Sequence, residues 1–217
     1  MARTELGSLA VMRRLVSVLI AVCVLGVTAA CGDDDGGTDA GSEPSGESGS
    51  GRSTSGGELV GPADEGIDGV QAYRVDGNDH TEETLDYQLV PPVGGEHYPV
   101  PGTCGFYEPG TEPPDEMLVH DLEHGSIWIA YDPDLDEAQS TALSALVAQQ
   151  AKVVATPLAG MESPLVVSAW GRQLPLDGVD DPRLVQFIDT YRNSENAPEP
   201  HAACQGVGEP AVASPAA

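Results

Sequence analysis

Ile127-Trp128-Ile129-Ala130-Tyr131-Asp132-Pro133-Asp134-Leu135 is the stretch that decides the fold. Ile127, Ile129 and Tyr131 alternate with Trp128 and Ala130, the period of a β-strand. Asp134 or Asp136 can then cap a helix over residues 135–150, where Leu135, Ala138, Ala142 and Leu146 recur at helical spacing and Leu143 and Val147 widen the stripe. Residues 153–156 and 165–171 read as two further strands. Asp181-Pro182 supplies a cap and a first-turn proline for a second helix. Its apolar face is Leu184, Phe187, Ile188 and Tyr191, at i, i+3, i+4 and i+7. The order strand, helix, strand, strand, helix predicts an α+β fold: a small, mainly antiparallel sheet with two helices on one face.

Upstream, residues 70–75 form a strand closed by Asp76-Gly77-Asn78, and residues 85–90 form another stopped by Pro91-Pro92. Residues 91–115 make a long loop region rich in proline and glycine. A connection of that length is usually functional or disordered. This one carries Cys104, Phe106 and Tyr107, which implies order.

The chain opens with Arg13-Arg14, an apolar run from Leu15 to Ala30, and then Cys31-Gly32. A basic head, an apolar middle and small residues before a cut make a secretory signal. The cysteine at the cut resembles the bacterial lipoprotein signal, in which that thiol is lipidated. Residues 1–30 are therefore read as a lipoprotein signal peptide and Cys31 as the lipidation site. That places the protein on the extracytoplasmic face of a membrane, held by its lipid. The other readings are an ordinary soluble signal or a membrane span. The apolar run is shorter than the ~20 residues a span needs, and Asp33-Asp34-Asp35 follows it closely. The paired arginines leave the route open between general secretory and twin-arginine export. Residues 31–57, made of Gly, Ser, Asp, Glu and Thr, read as an acidic disordered tether. Residues 58–204 are the folded domain and residues 205–217 a disordered tail.

The formal net charge is -26, and Lys152 is the only lysine. Such a surface repels phosphate backbones and excludes nucleic acid as a partner. It attracts cations, and it equally suits a salty habitat. Cys104 and Cys204, an even pair in an exported chain, read as one disulfide. The alternative makes Cys104 a thiolate metal ligand.

Four of the five histidines lie between His80 and His124. His120-Asp121-Leu122-Glu123-His124 places two imidazoles four residues apart, on one face of a helical turn. His97 is the third candidate metal ligand and His80 a fourth. Glu123 is expected to orient a ring from behind. Imidazole donors without thiols suit Zn or Cu over Ca or Mg. The competing reading keeps these histidines as hydrogen-bonded, partly buried groups satisfied by Asp121 and Glu123 without metal. His-x-x-Glu-His is also the inverted zinc-peptidase motif, with Glu123 as base. Pro114 upstream and Gly125 immediately after leave room for about two helical turns, which argues against it.

Tyr87, Pro91-Pro92, Gly95, His97, Cys104-Gly105-Phe106-Tyr107, Val119-His120-Asp121-Leu122-Glu123-His124-Gly125, Tyr131, Pro133, Ala169-Trp170-Gly171, Asp181, Phe187-Ile188, Tyr191-Arg192 and Cys204 together resemble the actinobacterial family known as domain of unknown function 3105. The resemblance runs from about His80 to Cys204. It departs from the family at Val93-Gly94-Gly95-Glu96. It implies an exported, often membrane-anchored domain and brings no mechanism with it.

The sequence thus points to a membrane-anchored lipoprotein with a transition-metal site at His97, His120 and His124, and leans away from an enzyme. The alternative is a structural or protein-interaction module of the cell envelope, with Trp128, Trp170 or Tyr107 presenting the contact. A metal-dependent hydrolase stands behind both.

Overall fold

The computed structural model describes residues 52–63 and 66–215. The stretch read as a signal peptide, Cys31 and most of the stretch read as a tether lie outside the described residues. The elements run β1 (Arg52–Thr54), β2 (Glu58–Pro62), β3 (Gln71–Arg74), β4 (Leu85–Tyr87), β5 (Gly105–Phe106), α1 (Asp115–Glu123), β6 (Ile127–Tyr131), α2 (Glu137–Val147), β7 (Val153–Pro157), β8 (Leu165–Ala169), β9 (Arg172–Leu176), α3 (Pro182–Tyr191) and β10 (Val212–Ala213).

Eight strands form one sheet in the order β10-β5-β7-β6-β8-β9-β3-β2. Most neighbours are antiparallel; β5, β7 and β6 run parallel to one another. The parallel β6–β7 pair requires a crossover, and α2 provides it. β1 and β4 pair separately and in parallel. The architecture is α+β, as the sequence predicts.

Alternation along β6 sorts the core. Ile127, Ile129 and Tyr131 face the side where α2 lays down Leu143 and Val147 and α3 lays down Leu184, Phe187, Ile188 and Tyr191. Trp128 and Ala130 face the other side, where α1 packs Leu118, Val119 and Leu122. Successive strand side chains point to opposite faces, so covering both faces buries all five residues of β6. Asp136 caps α2 by accepting from Gln139 N–H, and Asp181 caps α3 by accepting from Arg183 N–H.

Several elements escape the sequence reading, for physical reasons. β9 places buried Leu174 and Leu176 in alternation with Gln173 and Pro175, a pattern two apolar residues long and interrupted by a proline, and it pairs along its full length with β8. α1 adds a third helix, on the face opposite the other two. It is short and begins directly after Pro114. The order also extends past both expected borders. β1 lies within the stretch read as tether, and Arg52 N–H donates to Thr84 O. β10 lies within the stretch read as a frayed tail. Its Val212 pairs with Phe106, and Ser214 Oγ donates to Gln150 O at 2.7 Å. A two-residue strand is invisible to periodicity; the free edge of β5 creates it.

Phe187 is fully buried and Val185, on the same helix, is 41% exposed. Phe187→Ala should cost ~3–5 kcal/mol of unfolding free energy, and Val185→Ala should stay within about 0.5 kcal/mol. Denaturant titration with a shared slope checks both.

Candidate metal centre

α1 ends in a Schellman arrangement. Gly125 N–H donates to Leu122 O at 2.9 Å and Ser126 N–H to Asp121 O at 3.0 Å. Gly125 has φ 77, and a Cβ there would come within 2.7 Å of Pro200 O. Only glycine allows both the turn and that approach. The helix therefore stops directly after His124, and its last turn presents His120, Glu123 and His124.

Each of three rings is pinned through one nitrogen to a backbone carbonyl. His97 Nδ1 lies 2.8 Å from Gly95 O, His120 Nδ1 2.7 Å from Tyr98 O, and His124 Nδ1 2.7 Å from Ala203 O. A carbonyl can only accept, so each Nδ1 carries the proton and donates. In the neutral ring each Nε2 is then a bare lone pair. His97 Nε2 faces Glu123 Oε2 at 3.0 Å, and His120 Nε2 faces His124 Nε2 at 3.0 Å. Acceptor meets acceptor twice.

His80 joins them across the backbone. It bridges His97 in parallel, with Thr81 N–H donating to His97 O and His97 N–H to Asp79 O. Its ring stacks on His120 at 5.0 Å, and its Nε2 lies 3.5 Å from Glu123 Oε2. One donor atom each from His80, His97, His120 and Glu123 lies within 4.8 Å of all the others, a grouping that could hold a metal ion. His97, His120 and Glu123 are buried and His80 is the exposed member, so the cluster opens to solvent on His80's side.

The sequence reading groups His97, His120 and His124, with His80 as a fourth candidate. The structure groups His97 and His120 with His80 and Glu123, and sets His124 beyond His120. Glu123 was expected behind a ring. Its Oε2 instead faces Nε2 atoms, 4.0 Å from His120 and closer to His97 and His80. It stands among the donors. Its other oxygen accepts from Asn78 Nδ2 at 2.5 Å. No sequence pattern links Asn78 and His80 to α1; the β3–β4 connection carries them there.

Burial pushes the His97 and His120 rings below the ordinary imidazole value, against the opposing pull of their carbonyl partners. Burial raises the Glu123 carboxyl, but the Asn78 amide and the rings of His97 and His120 outweigh it and leave the group below the usual carboxylate range. Neutral imidazoles and an ionised carboxylate are the forms that bind metal.

On the other side of α1, Asp121 is fully buried. Oδ1 lies 3.3 Å from Cys204 Sγ and Oδ2 has no hydrogen-bond partner. The Cys104–Cys204 disulfide is formed, with the Cα atoms 5.5 Å apart. That disposes of Cys104 as a thiolate ligand in the oxidised protein. Trp128 and Tyr107 are fully buried and Trp170 is 8% exposed. Trp128 Nε1 donates to Thr156 Oγ1 and Tyr107 Oη to Thr103 O. Trp128 and Tyr107 are thus satisfied inside the fold, and all three rings are buried. Among the described residues no helix is long and apolar enough to cross a membrane.

The family described as protein of unknown function (DUF3105) matches residues 79–206, more than half of the chain. The chain belongs to that family. The match takes in His80, His97, α1 and both disulfide cysteines, so the whole cluster lies within the family's domain. No curated protein and no solved structure matches the chain.

Burial raises the Asp121 carboxyl well above its ordinary 3.8, against the Gly102 amide and Lys152. An acid whose folded value is raised loses stability as pH climbs from its unfolded value through its folded one. Asp121→Asn should therefore match the parent at the acid end of that window and exceed it increasingly above. Melting curves across pH check this; a constant offset between the two proteins contradicts it.

Proposed function

We propose that this protein binds a transition metal through His80, His97, His120 and Glu123, with His124 closing on His120. The observation that carries the reading is the pair of acceptor-to-acceptor contacts. Each 3.0 Å approach, His97 Nε2 to Glu123 Oε2 and His120 Nε2 to His124 Nε2, needs positive charge between the atoms. Protons could supply it only by charging a buried ring, which burial disfavours, or by neutralising Glu123, whose carboxyl is held below the usual carboxylate range. A divalent cation held by His80, His97, His120 and Glu123 supplies it between His97 and Glu123 and takes up the His120 Nε2 lone pair without that cost.

Three imidazoles and one carboxylate form a borderline donor set that suits Zn or Cu over Ca or Mg. The Nδ1 bonds to carbonyls fix tautomer and ring orientation, the usual supporting shell of metal-binding histidine. Half-exposed His80 leaves a side from which an ion can enter. The acidic surface, at a net -26, concentrates cations around that entrance. The protein's setting is read from Arg13-Arg14, the apolar run and Cys31: an exported lipoprotein, anchored outside the membrane by lipid on an acidic tether, with the folded domain held in solvent.

Metal analysis and thermal melting of the purified protein test this. Zn(II) or Cu(II) at a hundred times its Kd should stabilise by about 2.7 kcal/mol. His97→Ala or Glu123→Gln should abolish that shift. His124→Ala should weaken binding by ~10–100-fold, the scale of losing a supporting partner. A parent protein that is empty as purified, and whose melting ignores both ions, ends the reading.

A further inference from the structure

The disulfide and the histidine cluster share α1. Asp121 lies against Cys204, while His120, Glu123 and His124, on the same turn, face the cluster. Ala203, whose carbonyl fixes the His124 ring, directly precedes Cys204. The segment leading to it is tied to α1 at several points. Glu199 N–H donates to Glu123 O at 2.9 Å. Lys152 Nζ donates both to His124 O and to Pro200 O. The covalent bridge to Cys104 closes the far end of that segment, and Cys104 N–H donates to Cys204 O at 3.3 Å.

The bridge is buried but borders a cavity. That cavity, of about 590 Å³, is bounded by Cys104 and Cys204 together with Lys152, Asn193, His201 and Gln205. A small thiol fits such a volume.

Resting on the metal reading above, the geometry points to Cys104–Cys204 as a thiol–disulfide exchange site reached through this cavity by a dithiol, whose redox state sets how tightly the histidine cluster holds its metal. A thiolate of the dithiol attacks one sulfur and the S–S bond breaks, giving a mixed disulfide and one protein thiolate. The second thiol of the dithiol displaces the other cysteine. Two electrons pass to the protein, the dithiol leaves as a disulfide, and its two protons end on Cys104 and Cys204. Residues 199–204 then rest on hydrogen bonds alone. Ala203 O no longer fixes His124, and the contact at His120 loosens.

Zn(II) affinity of the purified protein, measured by competition with a chelating dye, tests this in the oxidised form and after dithiothreitol treatment and removal of the reductant. The reduced form should bind at least ~10-fold more weakly, and reoxidation should restore the affinity. Cys104→Ser with Cys204→Ser should behave as the reduced form. His124→Ala should bind weakly in both states, with no further loss on reduction. Equal affinities in the oxidised and reduced parent overturn the proposal while the metal reading stands. So does a disulfide that resists dithiothreitol in the native protein, read by alkylation and mass spectrometry. Loss of far-UV circular dichroism on reduction overturns it too, since the bridge would then be a structural staple. An oxidised protein that takes no Zn(II) sinks the metal reading itself.

Discussion

Three backbone carbonyls govern this structure's chemistry. Gly95 O, Tyr98 O and Ala203 O each take the Nδ1 proton of a histidine. That choice turns three Nε2 lone pairs inward, two of them onto each other and one onto a carboxylate. A protein that needed these histidines only as filler could have let one ring donate to the next. Fixing every proton on the outward nitrogen leaves an inward pocket of negative potential, inside a domain that already carries excess negative charge.

Everything around the pocket serves to keep the rings from turning. The sheet is the rigid wall, since both of its faces are covered and Trp128 beneath α1 is fully buried with its N–H satisfied. Gly125 ends α1 where the last turn can offer three functional side chains at once. The loop of residues 91–115 is irregular, but it is ordered by what it grips. His97 N–H bonds Asp79 O, Tyr98 N–H bonds Glu116 O, and Gly102 N–H bonds Met117 O. Gly102 also has to be glycine, because a Cβ there would meet Asp121 Oδ2 at 2.7 Å. The loop and the helix are thus fitted to each other as one unit.

The disulfide does more than close a loop. Joining residues a hundred apart in sequence, it can stabilise by up to ~4.7 kcal/mol through the unfolded chain. It also fixes the segment whose carbonyl holds His124. Stability and site geometry therefore depend on the same covalent bond, with Asp121 and Lys152 buried beside it. Lys152, the chain's single lysine, spends its three donors on His124 O, Asn193 Oδ1 and Pro200 O. Burial lowers its affinity for a proton, with Asp121 opposing.

Much of the scaffold was legible because it follows local periodicity. β6, α2 and α3 announce themselves through alternation, a 3.6-residue stripe and Asp-Pro capping, and the cysteine pair follows from parity together with the proposed export. His120 and Glu123 were legible as candidates because one helical turn relates them. His80 was legible as a fourth candidate, but its meeting with α1 was not, nor was Asn78, because both reach the cluster through a parallel bridge between residues 80 and 97, a contact with no local signature. The role of Glu123 was also hidden, since the side of the ring a carboxylate faces depends on which nitrogen its neighbours' carbonyls have claimed. β10 exists because the edge of β5 offers unpaired backbone groups. What the sequence determined by itself was the kind of layers and the chemistry available at α1. What only the tertiary structure decided was which lone pairs meet, because that depends on carbonyls brought from three separate segments of the chain.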